Sequence, residues 1–508
     1  MKSNLDTFPT RFKQHLPLVA SLVLNPWISL GFAIVLALPL AAFSIHYALS
    51  LMIIWTAIFS FSLERGTLDR ILLPPFSVVI AWEAMGLGVG ASLIALQAKG
   101  EVDPGTLKMQ IVYLLMFPIM YGAFRLGHGP VRKMIFPDKN PQFENEVIRP
   151  LVTVGWIMFS WRVIQLTVFA ATGAEDRGDF SMVAKDEYFG IATYFNLFPR
   201  LSTLGFFLLP LVFSRTQVFG KWILAGLMAY YMVLAFAAGA RGNVFFPILF
   251  IMVGLFFFRV LRSMKIDISA IVVSIAIFPL VIFMDHFRNT EGYKASRTLD
   301  LKNRLSAITE AKSRSSEASS TGEEGANTLL LGRALVGVMD ATVYEMTPSP
   351  IPHAGAENFS GVLYTWVPYF LYRDRPILYD ANSILIDYTG GVFTRTGKAI
   401  TLPADLYRRF GWFAIPFGVA AAFWVYGRFC GWCYRIYFEK NALLGILLLL
   451  FTFSFFQARP FSTVLTTWWI FFYEIPKHLV LLYAGYWLLK NTGHVTRVCG
   501  ASTYLKKS

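Results

Sequence analysis

Apolar runs of about 17–25 residues recur along this chain, each long enough as a helix to cross a hydrocarbon core of roughly 30 Å. They fall at about 27–44, 46–63, 71–96, 107–123, 150–171, 196–213, 222–239, 243–259 and 268–285, and again at 410–428, 442–458 and 463–489. Apolar residues make up 56% of the 508, too many for a soluble domain of this size. The fold class that follows is an all-α polytopic membrane protein with about twelve spans. Nothing resembles a cleavable signal peptide, so the first span is expected to act as its own uncleaved signal. Glu474, Pro476 and Lys477 fall inside the last run, where a kink or break is expected.

The runs are unevenly interrupted. Short links separate most of them, but a polar interval, 286–410, divides the first nine spans from the last three. This gives a membrane region 1–285, the interval 286–410, and a second membrane region with its tail, 411–508. The interval holds 14 Lys/Arg against 13 Asp/Glu, so the net charge of +14 comes from elsewhere. It lies in short basic loops such as 124–149, 214–221 and 429–441, the pattern of cytoplasmic loops flanking spans. That distribution excludes nucleic acid as the reason for the charge. It places both termini in the cytoplasm and 286–410 outside. Cys430, Cys433 and Cys499 all fall at cytoplasmic ends, and none lies in the outer interval, so no disulfide framework is expected there.

Long ordered loops in otherwise compact proteins usually carry function. Within the interval, 299–314 puts Leu301, Leu305 and Ile308 on one helical face, and 315–327 has the composition of a flexible linker. Residues 328–346 suit an apolar helix lying on the membrane or against other spans. From Pro348 to Pro403 the chain is rich in Pro, Gly and Tyr and reads as irregular.

Several residues could carry chemistry. Arg241 stands in GARGNVF, a tight outer turn whose small neighbours leave room for a ligand. Its guanidinium suits bidentate phosphate binding, or, as a plain alternative, snorkels to headgroups. Glu83 and Arg162 are charges inside spans 3 and 5, and read either as functional or as one ion pair fixing helix packing. His353, in PSPIPHAGAENFS, is an outer histidine that could serve in acid–base work, or be solvent-exposed only. Asp405 is held just before span 10, where a helix-capping role is the simpler alternative.

Three segments, in order and spacing, resemble the Wzy-type polysaccharide polymerases, the family of O-antigen and oligosaccharide repeat-unit polymerases. GARGNVF looks like the family's small–Arg–small turn. LYTWVPYFLYRDRP resembles its Ile-Pro-Arg to Lys-Pro segment, with Tyr369 in place of the Arg and Arg375 in place of the Lys. LPADLYRRFGWFAIPFGVAAAFWVYGRF looks like its Glu-Leu-Tyr–x–Asn-Phe-Gly segment, with Asp405 for Glu and Arg409 for Asn.

The resemblance implies a membrane-embedded glycosyltransferase of the C type in a bacterial inner membrane, with one large periplasmic loop between spans 9 and 10. It implies transfer of an oligosaccharide repeat unit from undecaprenyl diphosphate to an acceptor repeat unit at the periplasmic face. The expected partners are that lipid-linked donor, membrane lipids and a chain-length regulator protein. Arginines would stabilise the departing diphosphate in place of a metal, so neither metal nor cofactor is expected, and a single displacement would invert the anomeric centre. Arg241, Arg288 and Arg375 are the candidates for the diphosphate, and Arg333 would arrive on the 328–346 helix. Tyr407 and Arg408 complete the substrate side, and Asp405 or His353 supplies the base. An O-antigen ligase would share this architecture with a different acceptor. A transporter could also have twelve spans, but no half-repeat is visible here.

Overall fold

The computed structural model describes residues 26–68, 104–129, 140–172, 199–238, 241–258, 338–364, 400–456 and 463–492, with a few positions between them. Among these, every regular element is helical. The spans expected at 71–96 and 268–285, the linker 315–327, and Glu83, Arg288, Arg333 and Arg375 lie outside the described residues.

Most expected spans within reach are helices with bounds shifted by a few residues. They are α1 (Pro26–Phe43), α2 (Ile45–Leu68), α3 (Pro104–His128), α4 (Arg149–Thr172), α5 (Leu204–Arg215), α6 (Val218–Ala237) and α7 (Arg241–Phe258). Then come α8 (Val338–Met346), α9 (Leu402–Phe410), α10 (Ala414–Arg435), α11 (Ala442–Phe456), α12 (Val464–Trp469) and α13 (Ile475–Asn491). Three stretches, Pro104–His128, Pro141–Ala171 and Val218–Ala237, are long and apolar enough to cross a membrane.

Two departures from the expected bounds have physical causes. The span expected at 410–428 begins only at Ala414, because Gly411 takes φ +79 and ends α9. That left-handed conformation suits glycine and stops a helix. The last span is interrupted by a wide π turn, Ile470–Glu474, immediately before Pro476. Proline removes an N–H donor and crowds the preceding turn, so the ladder loosens where the break was expected.

The chain divides into two compact units that cut across the sequence division, since both draw on the 286–410 interval. Contact follows packing, whereas the sequence division followed membrane sidedness. The first unit comprises 1–135, 333–432 and 459–476. In it α2 packs on α1 and α3, α8 on the first half of α3, and α9 on both α8 and α12. At the far end of α3, Gly127 backs onto Trp424 and Arg428, and Gly427 onto Phe124. Each glycine meets backbone of the other helix, so any side chain there would push the helices apart. Rising residue numbers in α3 meet rising numbers in α10 (Phe124 and Gly127 against Trp424 and Gly427, His128 against Gly431), so the two run parallel.

The second unit comprises 136–332, 433–458 and 477–508. Its centre is α11, apolar throughout and buried on every side from Ala442 to Thr452, the pattern of a core helix. Helices α4 and α5 are antiparallel: Phe159 meets Phe206 edge-on at 5.7 Å, and Ser202 Oγ donates to Gln165 Oε1 at 2.7 Å. Phe207 of α5 stacks on Phe250 of α7 at 4.4 Å. Helix α6 exposes Val218, Phe219, Trp222, Ile223 and Val233, an apolar face suited to lipid. Of the stretch expected to be helical at 299–314, residues 306–310 are described and helical, and Ala307 is buried on Phe287, with Ile308 and Phe236 beside it.

Candidate functional site

The polar residues of the first unit converge at the N-terminal end of α3. Thr106, Gln110 and Tyr113 recur at helical spacing on α3, and all are buried. Gln110 ties α3 to α2. Its Oε1 accepts from His46 Nδ1 at 2.7 Å, and its Nε2 donates to His46 O at 2.9 Å and Ser50 Oγ at 2.8 Å.

Three residues further on, Tyr113 donates to Asp340 Oδ2 at 2.6 Å. Thr401 donates to the same carboxylate twice, from Oγ to Oδ2 at 2.7 Å and from its backbone N–H to Oδ1 at 3.0 Å. The Tyr113 and Thr401 hydroxyls also touch each other. Thr401 occupies the N-cap of α9, yet its side chain turns to Asp340 instead of capping. The carboxylate thus lies against the positive end of α9, a favourable place for an anion. At the other end of α8, Lys108 Nζ donates to Tyr344 O at 3.1 Å. Burial pushes the Asp340 carboxyl above the usual carboxylate range. The three hydrogen bonds oppose this, and the nearby Asp405 charge adds to it.

Helix α9 is short, yet Leu402 to Arg409 are all buried, including three charged side chains. Asp405 Oδ1 accepts from Arg408 Nε at 2.9 Å, and Oδ2 from Arg409 Nε at 3.2 Å and from the Val464 N–H at 2.7 Å. Arg409 Nη1 reaches the carbonyls of Gly355 at 3.1 Å and Glu357 at 2.8 Å, and its guanidinium lies over the Phe359 ring. The group is a latch: one carboxylate holds two guanidinium groups and the first turn of α12, and Arg409 extends the hold to the 355–359 turn.

Three of the candidate residues fall in this group. Asp405 is fully buried with both oxygens engaged. It accepts from the N–H of Val464, the first residue of α12, whose N-cap is Thr463. Arg408 is buried against Asp405, and Tyr407 is buried with its hydroxyl donating to Thr347 O at 2.8 Å. As placed, neither presents its polar group to a substrate.

His353 is different, because it is exposed. Its Nδ1 lies 3.3 Å from Arg408 O, and a carbonyl can only accept, so Nδ1 is the donor of this pair. The ring stands edge-on to Tyr407, with Nε2 beside Gly411. Tyr407 packs on Trp412 at 4.4 Å, and Tyr344 stacks on Trp412 at 5.7 Å. Trp412 is 46% exposed and leads to Phe413, which is 87% exposed. The arrangement sets an exposed histidine, oriented by the Arg408 carbonyl, against the Tyr407–Trp412 aromatic cluster.

Arg241 is the first residue of α7, but its side chain lies outside the described residues, as do Gly239 and Ala240 of the expected turn, Arg288, Arg333 and Arg375. Arg162 donates from Nη2 to Asn243 Oδ1 at 3.2 Å. Asp340 and Thr401 were not singled out from the sequence. The available signal was an acid within a largely apolar stretch, four residues before Tyr344. No family model, characterised protein or solved structure matches the chain.

Proposed function

We propose that the protein is a polysaccharide polymerase that transfers oligosaccharide repeat units from a polyprenyl diphosphate onto an acceptor repeat unit at the outer face of a bacterial inner membrane. The observation that carries the reading is His353: exposed, with Nδ1 committed to Arg408 O, and edge-on to Tyr407, which packs on the half-exposed Trp412. An aromatic face of this kind stacks well against the apolar side of a sugar ring. Nε2 accepts the proton of the acceptor hydroxyl as its oxygen bonds to the anomeric carbon. The bond from that carbon to the diphosphate oxygen breaks, and the configuration inverts. Arg241, Arg288, Arg333 and Arg375 are proposed to take up the charge developing on the lipid diphosphate. Asp405 holds the scaffold under this site and takes no part in proton transfer.

The twelve-span arrangement is part of this proposal and has independent support. Helices α3 and α10 run parallel, and both start at the end that holds Asp340, Asp405 and His353. Both finish among Arg125, His128 and Arg428. The proposed topology has both crossing from outside to inside, with the basic ends in the cytoplasm.

The test is a reconstituted assay with synthetic lipid-linked oligosaccharide. His353→Ala is expected to slow transfer by roughly 10²–10⁴ while donor binding and unfolding temperature hold. Transfer within a few-fold of the parent removes His353 as the base. In cells, loss of the protein should leave single repeat units on the final acceptor. Loss of all glycan from that acceptor would indicate a ligase instead, and trapped lipid-linked donor on the cytoplasmic side a transporter.

A further inference from the structure

Helix α10 is apolar on both of its faces. Ile415, Val419, Phe423 and Tyr426 recur at helical spacing and are buried. On the other side Phe413, just before the helix, is followed by Phe417, Ala421, Trp424 and Arg428, and all five are exposed. Phe417 is 75% exposed. A helix that is apolar all round belongs in a protein core or in a bilayer.

Two observations favour the bilayer over a docked protein. The exposed apolar residues of the first unit do not form one patch: α1 exposes Phe32, Val35 and Leu38, and α3 exposes Ile111 and Leu115. A belt carried by three helices suits a continuous apolar solvent better than a single docked surface. The dimensions also fit. Helix α3 is long and apolar enough to cross a membrane, and α10 runs parallel to it. Trp412 precedes α10 and Trp432 lies near its end; at 1.5 Å per residue the stretch between them rises roughly 30 Å. The hydrocarbon core of a bilayer is about as thick. Tryptophan favours both edges of that core, where its ring is apolar and its N–H meets water.

The bend between α9 and α10 gathers the largest exposed rings. Gly411 turns the chain there, and Phe410, Trp412 and Phe413 flank it, all exposed. Trp412 is held from within by Tyr344 and Tyr407. His353 shares the bend: its Cε1 and Nε2 lie 3.7 and 3.8 Å from where a Cβ on Gly411 would stand.

We propose that the bend from Phe410 to Phe417 is a membrane anchor. Its rings seat at the boundary between the headgroups and acyl chains of a phospholipid bilayer, and the exposed stripe of α10 continues into the hydrocarbon. The anchor goes beyond the transferase reading and does not depend on it. That reading gains from it a fixed depth for His353, at the level of the headgroups, where the diphosphate of a lipid-linked donor lies.

The experiment measures the depth of single spin labels on the full-length protein in vesicles of phosphatidylcholine and phosphatidylglycerol. Cys499→Ser removes the more accessible native thiol, the buried Cys430 and Cys433 stay, and protein without an added cysteine is the blank. Labels are placed at Ala356→Cys, exposed three residues after His353, and at Phe413→Cys, Phe417→Cys and Ala421→Cys. Each variant must match the parent's unfolding temperature, and four separate positions keep the test standing if one fails to fold.

Collision with oxygen, which concentrates in lipid, is compared with collision with a water-soluble nickel complex. Ala356 should favour nickel, Phe413 should lie at the crossover, and Phe417 and Ala421 should favour oxygen, each deeper than the last by roughly 6 Å. Labels at Phe413 and Phe417 as open to nickel as Ala356 would place the bend in water and overturn the anchor. Labels shielded from both reagents would overturn it too, because a protein surface, such as a second copy of this chain, then covers the face. An Ala356 label that favours oxygen would overturn the depth assigned to His353. No turnover enters the measurement, so failure of the transferase reading leaves the result intact.

Discussion

Two sites in this molecule bury arginine, and they do so in opposite ways. In α9, Arg408 and Arg409 share Asp405, whose Oδ2 also accepts from the Val464 N–H, while Arg409 also meets two carbonyls. In α4, Arg162 meets one amide oxygen. The first arrangement is complete within the protein, and in the second no anion meets the guanidinium among the described residues. Both would read alike from a sequence as arginines in an apolar setting. The difference lies in whether the surrounding structure has already answered the charge. A completed set is a structural element. Asp340 stands between them, answered by three hydrogen bonds but, among the described residues, by no cation.

The comparison can be broken most severely at Asp405. Asp405→Asn leaves two buried guanidinium groups without a counter-charge and should cost about 3–5 kcal/mol, measured by unfolding in detergent. A loss below about 1 kcal/mol would show that the latch is not holding α9, α12 and the 355–359 turn together.

The middle case should give a middle value. Asp340→Ala strands the Tyr113 hydroxyl and the Thr401 N–H and hydroxyl, at about 1–3 kcal/mol. Asp340→Asn keeps an acceptor for Thr401 and removes the ionisable group. The raised folded-state pKa makes the sign testable. The native state holds the proton to higher pH than the unfolded chain. Asp340 therefore contributes stability fully at pH below the ordinary carboxylate range, and loses it as pH rises through the raised folded value. Unfolding measured across that interval should show the decline in the parent and a flatter profile in Asp340→Asn. An unchanged slope would assign the pH dependence to other groups.

The smallest effect is expected at Arg162. Arg162→Met should hold or raise stability, with any loss under about 1 kcal/mol, because among the described residues the buried charge it removes meets only one amide oxygen. A loss as large as that of Asp405→Asn would erase the distinction between the two sites.

Much of the helical framework was legible because it depends on local pattern. The run expected at 150–171 is the helix Arg149–Thr172, and the break foreseen near Pro476 is a π turn ending at Glu474. The candidate site was legible only in part. Asp405 was recognisable as a carboxylate suited to helix N–H groups, but that it would accept from Val464, 59 residues on, leaves no mark in the sequence. The buried state of Arg408 and Arg409 was not visible either, since α9 carries three charges within five residues and looks like a solvated face. His353 was readable as a candidate base. What raises it above Asp405 is a hydrogen bond to Arg408 O across 55 residues, which no local pattern encodes. Sequence shows that a charge needs a partner; tertiary packing decides which one it has.

The Asp340 knot has a consequence for the order of assembly. It joins Tyr113 to Asp340, 227 residues later, and to Thr401, 288 residues later. At synthesis rates of roughly 5–20 residues per second, Thr401 emerges roughly 15–60 s after Tyr113. Throughout that delay α3 must sit in place with its tyrosine hydroxyl still awaiting the acid. Gln110 can settle at once, because His46 and Ser50 precede it in the chain. The early helices can therefore pair among themselves as they are made, while the end that carries His353 closes only after Thr401, and later Val464, have been delivered. A chain truncated between 346 and 400 should still join α2 to α3 but have no α9 to close over them.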